Sequence, residues 1–421
     1  MLSRLSRNEL ASLRADTDRR IDGFRKQKLA LDMTRGKPGP EQLDLSGGIL
    51  TMVGEKDYFT PGGLDTRNYG GLDGFPEAKE LFASYLEVSP EELIIGGNSS
   101  LNMMYDTVAQ CLIHGPSGGG GPWLGKTIKS LCPVPGYDRH FSICEHFGIQ
   151  MIPVELTGSG PEMDRVEHLA GQDASIRGIW CVPKYSNPSG IVYSDETVER
   201  LAAMKTAAAD FRIIWDNAYA VHHLGAGPAK LANILEACKK AGNPDRVLIF
   251  GSTSKITFPG AGIAVMAGSR ANMAWAKERL SCQTIGPDKL NMLRHLLYFR
   301  NLDGILAHME KHARIIAPKF QAVQEILERE LGGRGLASWT RPQGGYFVSL
   351  DTEPGCAARV VAMAGELGVK FTRAGSTWPY GRDPQDSNIR IAPTLPSLQQ
   401  IRNAVEVLSV CILKASLQKA I

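Results

Sequence analysis

The sequence predicts an α/β fold, a mostly parallel seven-stranded sheet flanked by helices, joined to a smaller α+β domain. Three observations predict it. From about residue 90 to 270, short apolar runs alternate with longer helical patterns, the signature of strand–helix–strand crossovers. Each run gives way to a glycine-rich or polar turn. After about residue 300 the texture changes to long amphipathic stretches with few strand-like runs.

In chain order, residues 6–30 are charged with intermittent Leu and Ile and predict a surface helix. Thr34-Arg35-Gly36-Lys37-Pro38-Gly39-Pro40 cannot continue it, because proline removes a donor and clashes with the preceding turn. The predicted strands are the apolar runs at 93–95, 131–134, 151–156, 179–182, 211–215, 247–250 and 263–266. Val198, Leu201, Ala202, Lys205 and Ala208 share one helical stripe between two of them. Pro116 to Pro122, with four successive glycines, reads as a flexible surface loop and lacks the Lys-Ser/Thr of a nucleotide-binding loop. A long helix is expected at 308–331 and a strand over Gly344-Gly345-Tyr346-Phe347-Val348. Leu398, Ile401, Val405, Leu408 and Ile412 then mark a closing amphipathic helix. The expected division is a large domain at 47–301 and a small one built from 1–46 and 302–421.

At 421 residues the chain is too long for one core and suits two domains. Lys+Arg 47 against Asp+Glu 44 leaves +3, no electrostatic reason to expect nucleic acid. No apolar run approaches the ~20 residues of a membrane helix. The first residues carry charges where an export signal needs an apolar stretch, so a cytoplasmic protein is expected. The eight cysteines form no C-x-x-C pair and are all expected to be reduced core thiols.

The chemistry lies in the turns at the strand ends, because ligands of such sheets bind beyond the carboxyl ends. The run at 93–95 leads into Gly96-Gly97-Asn98-Ser99-Ser100, and the run at 179–182 into Asn187-Pro188-Ser189-Gly190. The run at 211–215 ends on Asp216-Asn217-Ala218-Tyr219, and that at 247–250 on Gly251-Ser252-Thr253-Ser254-Lys255. A glycine-and-serine turn opening a helix offers N–H groups and hydroxyls to a phosphate. A carboxylate can keep a pyridine nitrogen protonated, and a lysine can form an imine with an aldehyde. An amide and a phenol can share a ring oxygen. Pyridoxal 5′-phosphate has all of these features. Taken singly, Asn-Pro-x-Gly is most often a turn and a lysine in a serine-rich loop is most often solvated. Their joint order and spacing carry the signal, with 29 residues from Asn187 to Asp216 and 39 from Asp216 to Lys255.

This order, closing with Asn388-Ile389-Arg390-Ile391, resembles the fold-type-I pyridoxal-phosphate (PLP)-dependent aminotransferases of the aspartate aminotransferase superfamily over nearly the whole chain. The phrases MTRGKPGPEQLDLS, LCPVPGYDRHF and STSKITFPGAGIA resemble more narrowly the subgroup Ic aspartate aminotransferases, relatives of the aminotransferase-like domain of MocR regulators. The resemblance implies that Lys255 is the Schiff-base lysine and Asp216 the partner of the pyridine nitrogen. It implies that Tyr219 and Asn187 hydrogen-bond the ring hydroxyl and that Tyr137 stacks on the ring. Gly97, Asn98, Ser99 and Ser252 fall where the phosphate is held. Tyr69 matches a tyrosine that reaches a phosphate across a homodimer interface, Arg390 the grip on the substrate α-carboxylate, and Gly36 a glycine lining the substrate site. Arg35 and Lys37 flank that glycine and are the first candidates for a distal carboxylate, with Arg139 and Lys289 behind them.

One departure stands out. Many relatives carry an arginine in a Pro-Gly-x-Arg phrase after the lysine, which binds the phosphate with two parallel hydrogen bonds. Here the phrase is Pro259-Gly260-Ala261-Gly262. The nine histidines lack metal-ligand spacing, and adjacent His222 and His223 are expected to be structural, facing opposite ways on a strand. The expected activity is transfer of an amino group between an amino acid, aspartate first, and 2-oxoglutarate. Aminoadipate, kynurenine or aromatic substrates and a β-lyase reaction remain open alternatives. A non-catalytic cofactor-binding regulator is disfavoured because TRGKPG begins at residue 34, which leaves no room for a helix-turn-helix module ahead of it.

Overall fold

A computed structural model describes residues 6–225 and 227–419, so residues 1–5, 420 and 421 of the expected small domain lie outside the described residues. The large sheet has eight strands: β1 (Leu93–Ile95), β2 (Lys129–Val134), β3 (Gln150–Thr157), β4 (Gly160–Pro161), β5 (Ile176–Cys181), β6 (Arg212–Asp216), β7 (Val247–Ser252) and β8 (Ala264–Gly268). Their spatial order is β1-β8-β7-β6-β5-β2-β3-β4. The pairs β3·β2, β2·β5, β5·β6 and β6·β7 are parallel, and β8 runs antiparallel to both of its neighbours. All seven expected runs are strands. The eighth, β4, is a two-residue edge strand antiparallel to β3, too short to leave an apolar run in the sequence.

Burial explains the composition of the central strands. Every residue of β6, β7 and β8 is buried, because helices cover both faces of the sheet, so these strands read as continuous apolar runs rather than alternating ones. Asp216 lies opposite Phe250, and Cys181 opposite Trp215, so β5, β6 and β7 end together along one edge. Chain order reverses between β5 and β2. The crevice at such a reversal is where an open α/β sheet offers a site.

A second core lies beside the sheet. Three antiparallel strands, β9 (Ala337–Trp339), β10 (Val348–Thr352) and β11 (Asn388–Ile391), pack with the helices Leu302–Leu331 and Leu398–Lys419. Phe320, Val323, Leu327, Val405, Leu408 and Ile412 are buried together with Leu31 and Met33 from the N-terminal segment. Truncating one of these, for example Leu408→Ala, costs about 2–5 kcal/mol. The segment is tied in by a short parallel pairing of Leu31–Asp32 with Val369–Lys370.

Several expectations need adjustment. The first helix spans Arg7–Gln27, started by a reciprocal Ser6–Glu9 cap and ended by Lys28 at φ 50. The crossover helix stops at Ala203, so Lys205 and Ala208 of the apparent stripe lie beyond it. The long helix begins at Leu302, not 308, where Asn301 caps it by accepting from the Gly304 N–H. The strand expected over 344–348 starts only at Val348, because Gly345 sits at φ 81 with its backbone against Tyr185. Cys282 is exposed, against the expectation of eight core thiols, while the other seven are buried. No described helix is long and apolar enough to cross a membrane.

Candidate active site

A cavity of about 570 Å³ opens at the β5/β2 reversal. Asp216, Asn187 and Lys255 reach it from the ends of β6, β5 and β7, and Tyr137 from the turn after β2. Arg390 comes from β11 and Arg35, Gly36 and Lys37 from the N-terminal loop, so the two cores meet there. Tyr219, Asp138, Arg139, Phe347, Thr372 and Arg373 also line its wall.

Asp216 ends β6 and is buried. One oxygen, Oδ2, is 3.0 Å from His140 Nε2 on the helix Asp138–His146. The other, Oδ1, is buried with no hydrogen-bond partner in the protein. A buried carboxylate oxygen left unpaired is costly, so it calls for a donor that the chain itself does not supply. His140 in turn stacks on Trp180, with ring centroids 4.4 Å apart.

Lys255 holds its amine 4.9 Å from the centre of the Tyr219 ring. Burial pushes its pKa below the usual lysine range, while the Asp216 charge acts the other way. The amine is therefore easier to use as a neutral base than an ordinary lysine. Tyr219 is buried, and burial pushes its phenol well above the usual range, first by desolvation and then through Tyr137 and Asp216. It stays a neutral donor.

Arg390 is held on three sides. It donates through Nη1 to Asp138 Oδ1 at 2.9 Å and to Asn187 Oδ1 at 3.4 Å, and through Nη2 to Thr372 Oγ1 at 3.3 Å. Its Cζ lies 5.0 Å from the centre of the Phe347 ring. Gly36 is packed so closely on that ring that a Cβ at this position would collide with Phe347 Cζ.

The remaining expected residues are placed differently. Gly97, Asn98 and Ser99 line a neighbouring cavity of about 360 Å³, together with Arg279. The helix they open, Ser100–His114, turns its first residues Ser100 and Leu101 to the larger cavity. Ser99 caps that helix, accepting from Asn102 N–H at 3.3 Å. Ser252 is buried and lines neither cavity; it donates to Ser254 Oγ at 3.1 Å, and Ser254 Oγ donates to the Asn98 carbonyl at 3.3 Å. Tyr69 is 82% exposed and lies outside both cavities. Lys289 is buried, donating to the Gly70 carbonyl at 2.6 Å, and does not line the larger cavity. At Gly262 a Cβ would meet Phe258 O and Thr253 Oγ1 at 3.0 Å, so the loop leaves little room for a side chain at the position where a Pro-Gly-x-Arg phrase would place its arginine. His222 lies in the turn after β6, not on a strand, 3.3 Å from the Lys255 carbonyl through Nε2.

Sequence reasoning missed Asp138, His140, Thr372 and Arg373. The first two sit in the phrase LCPVPGYDRHF, one and three residues after Tyr137, so their position was legible but their partners were not.

These residues fit pyridoxal phosphate. The unpaired Asp216 oxygen suits a protonated ring nitrogen, the lysine amine an aldehyde, the Tyr219 and Asn187 side chains a ring oxygen, and the N-terminus of the Ser100–His114 helix a phosphate.

The family model described as aspartate amino-transferase matches residues 5–421. The aspartate aminotransferase of Corynebacterium glutamicum is 44% identical over 402 residues, 95% of this chain and 93% of that one. The crystal structure of an aspartate transaminase from the same species superposes with a TM-score of 0.96 at 42% identity, covering 99% of this chain and 98% of that one. An α-aminoadipate aminotransferase from Thermus thermophilus, crystallised with N-(5′-phosphopyridoxyl)-L-leucine, shares the fold at a TM-score of 0.75 and 21% identity, covering 99% and 100%.

Proposed function

The chain belongs to the aspartate amino-transferase family, and from that premise we propose that the 570 Å³ cavity is its active site and that aspartate and 2-oxoglutarate are its substrates. It is a pyridoxal-phosphate-dependent aminotransferase. The observation that carries the site assignment is the convergence of a pKa-lowered lysine, a carboxylate with one unpaired buried oxygen, and a buried arginine on one cavity. Aspartate is supported by the likeness to aspartate aminotransferase from Corynebacterium glutamicum, in sequence and in structure.

Bound pyridoxal phosphate supplies an aldehyde for an amine to condense with and a protonated ring that accepts the electrons left at the substrate Cα. The rest falls to the chain. Asp216 keeps the ring nitrogen protonated through Oδ1, while His140 fixes its other oxygen. Tyr219 and Asn187 would hold the ring hydroxyl, Tyr137 would pack against the ring, and the Lys255 amine would hold the aldehyde carbon. The N-terminus of the Ser100–His114 helix, whose first residues Ser100 and Leu101 line the cavity, would bring N–H groups to the phosphate end without an arginine at position 262, while Gly97, Asn98, Ser99 and Ser252 shape the turn that leads into that helix. Arg390 grips the α-carboxylate with its planar fork, which sets Cα beside the Lys255 amine. That amine then takes the Cα proton as general base.

The large domain is assigned to 47–301 and the small one to 1–46 and 302–421, with the cavity between them. Tyr69, exposed in one chain, is assigned to a homodimer interface where it serves the partner's phosphate. The finer likeness to subgroup Ic and to the MocR domain rests on the phrases around Gly36, Tyr137 and Lys255, and the reducing cytoplasm on the seven buried thiols.

An amino-donor screen with 2-oxoglutarate, run on the wild type and on Lys255→Ala, tests the reading. Aspartate should lead the screen, and Lys255→Ala should bind cofactor but lose at least about 10²–10⁴-fold in turnover. Near-normal turnover of Lys255→Ala would overturn the site assignment.

A further inference from the structure

We propose that Gln42 is a positioning residue that ties the substrate-side loop at 34–39 to the backbone of Lys255, so that loop and lysine are held in one arrangement. The inference rests on the reading of Lys255 as the reacting amine. Gln42 lies in the short helix Pro40–Asp44, just past that loop, and is fully buried. A buried amide must place two donors and an acceptor, and Gln42 places all three. The Gly39 N–H donates to its Oε1 at 3.2 Å, which fixes which end of the amide is oxygen. The nitrogen then donates to Tyr346 Oη at 3.0 Å and to His312 Nδ1 at 3.0 Å.

Tyr346 passes the connection on. With its oxygen accepting from Gln42, its own hydrogen goes to the Lys255 carbonyl at 3.2 Å. His222 Nε2, at 3.3 Å, supplies a second donor to the same carbonyl. The Lys255 peptide is thus held by two side chains, one of them keyed to the N-terminal loop. Both rings are neutral, His312 lowered to about 4 and His222 well below the usual range, in each case first by burial. On the far side, His312 Nε2 lies 3.1 Å from His308 Nε2, whose ring is 3.1 Å from Ser46 Oγ. The helix Leu302–Leu331 therefore backs Gln42 from behind.

The loop end of this chain of bonds is the part that sees substrate. Thr34, Arg35, Gly36 and Lys37 line the cavity, and Gly39, two residues on, is what Gln42 holds. No atom of Gln42 lines the cavity itself, so its action is through Gly39 and Tyr346.

The test compares holoenzyme of wild type, Gln42→Met, Tyr346→Phe and the double variant. Tyr346→Phe keeps the ring that packs against Tyr219 and deletes one oxygen, so it folds even where Gln42→Met does not. The readouts are kcat and KM, backbone hydrogen exchange over residues 33–43, and the pH midpoint of the visible cofactor band. Each single variant is expected to lower kcat about tenfold, to shift the midpoint and to speed exchange over 33–43. The double variant should be no worse than the worse single, because both changes cut one path. Penalties that multiply, or a Tyr346→Phe holoenzyme with unchanged exchange over 33–43 and an unchanged midpoint, would overturn the proposal. A wild type with no visible band and no turnover would instead overturn the active-site reading.

Discussion

Arg390 Nη1 lies 2.9 Å from Asp138 Oδ1, so the cation assigned to the substrate has an acidic partner within the chain itself. The arginine is 7% exposed and the aspartate 33%, which leaves the aspartate free to turn towards solvent. An incoming α-carboxylate must take over the Nη1 donor from Asp138. Without this partner the buried guanidinium would carry its charge unpaired, a costly state. Asp138→Asn keeps a side-chain oxygen at the start of its helix but removes the competing charge. KM for the amino donor should fall roughly three- to tenfold, about 0.6–1.4 kcal/mol, with kcat nearly unchanged. Steady-state kinetics with aspartate check this, and a raised KM would assign Asp138 to substrate binding instead.

Asp216 and His140 are expected to separate in their effects. Asp216→Ala removes the charge beside the ring nitrogen, so kcat should fall far more than KM changes, because the interaction matters most as Cα loses its proton. His140→Asn keeps a donor near Asp216 Oδ2, which now accepts from the imidazole at 3.0 Å, and should cost much less. Turnover measured at saturating cofactor distinguishes these losses from weakened cofactor binding.

The loop that carries Lys255 brings its own pH dependence. His295 is buried against it, with Nδ1 donating to the Asn291 carbonyl at 2.8 Å and Nε2 accepting from Thr257 Oγ1 at 2.9 Å. Burial lowers its pKa to about 4, with Arg294 adding to the effect and the Asn291 bond and Asp288 opposing it. The folded value lies below the unfolded one, so the unfolded chain binds more protons between about pH 6.5 and 4. Stability is full above that window and is lost as pH falls through it, by up to about 1.4 kcal/mol per pH unit. Denaturant midpoints at pH 8, 6 and 5 should therefore decline, and His295→Gln should flatten the decline between pH 6.5 and 5.

Much of this arrangement was legible in the sequence because strand ends deliver side chains to one edge. Asp216, Asn187 and Lys255 come after buried apolar runs, and parallel pairing then fixes where they arrive. Arg390 was legible through the phrase around it, yet its partner was not, since Asp138 is 252 positions away and only the packing of two cores brings them together. The same holds for Gln42, whose partners Tyr346 and His312 come from distant elements. Gly97 to Ser99 read as a phosphate turn, but a turn has two sides, and the fold directs these residues to the smaller cavity while Ser100 faces the larger. Short irregular elements such as β4 leave no periodic trace at all.

Selectivity for dicarboxylates depends on a second cation, and the cavity offers four beyond Lys255 and Arg390: Arg35, Lys37, Arg139 and Arg373. All four are exposed, and among the described residues none forms an ion pair, so each is free to turn towards a ligand. Arg35 and Lys37 flank Gly36, whose backbone is pinned on Phe347, and Phe347 lies beside Arg390. That chain of contacts fixes their distance from the α-carboxylate better than it does for Arg139. Arg373 comes directly after Thr372, which accepts from Arg390 Nη2, and is the strongest rival. A guanidinium can meet a carboxylate with two parallel bonds and an ammonium cannot, so Arg35 and Arg373 rank above Lys37. Replacing the cation that reads the distal carboxylate with glutamine should lower kcat/KM for aspartate and glutamate about 10- to 100-fold while leaving alanine within about twofold, because the lost bond exists only for the longer acids. Arg390→Gln should penalise every amino acid alike. The four glutamine variants, each assayed with aspartate, glutamate, alanine and phenylalanine, locate the reader by which one separates the two pairs of substrates. If none does, and the wild type prefers phenylalanine, aspartate is not the donor although the aminotransferase chemistry stands.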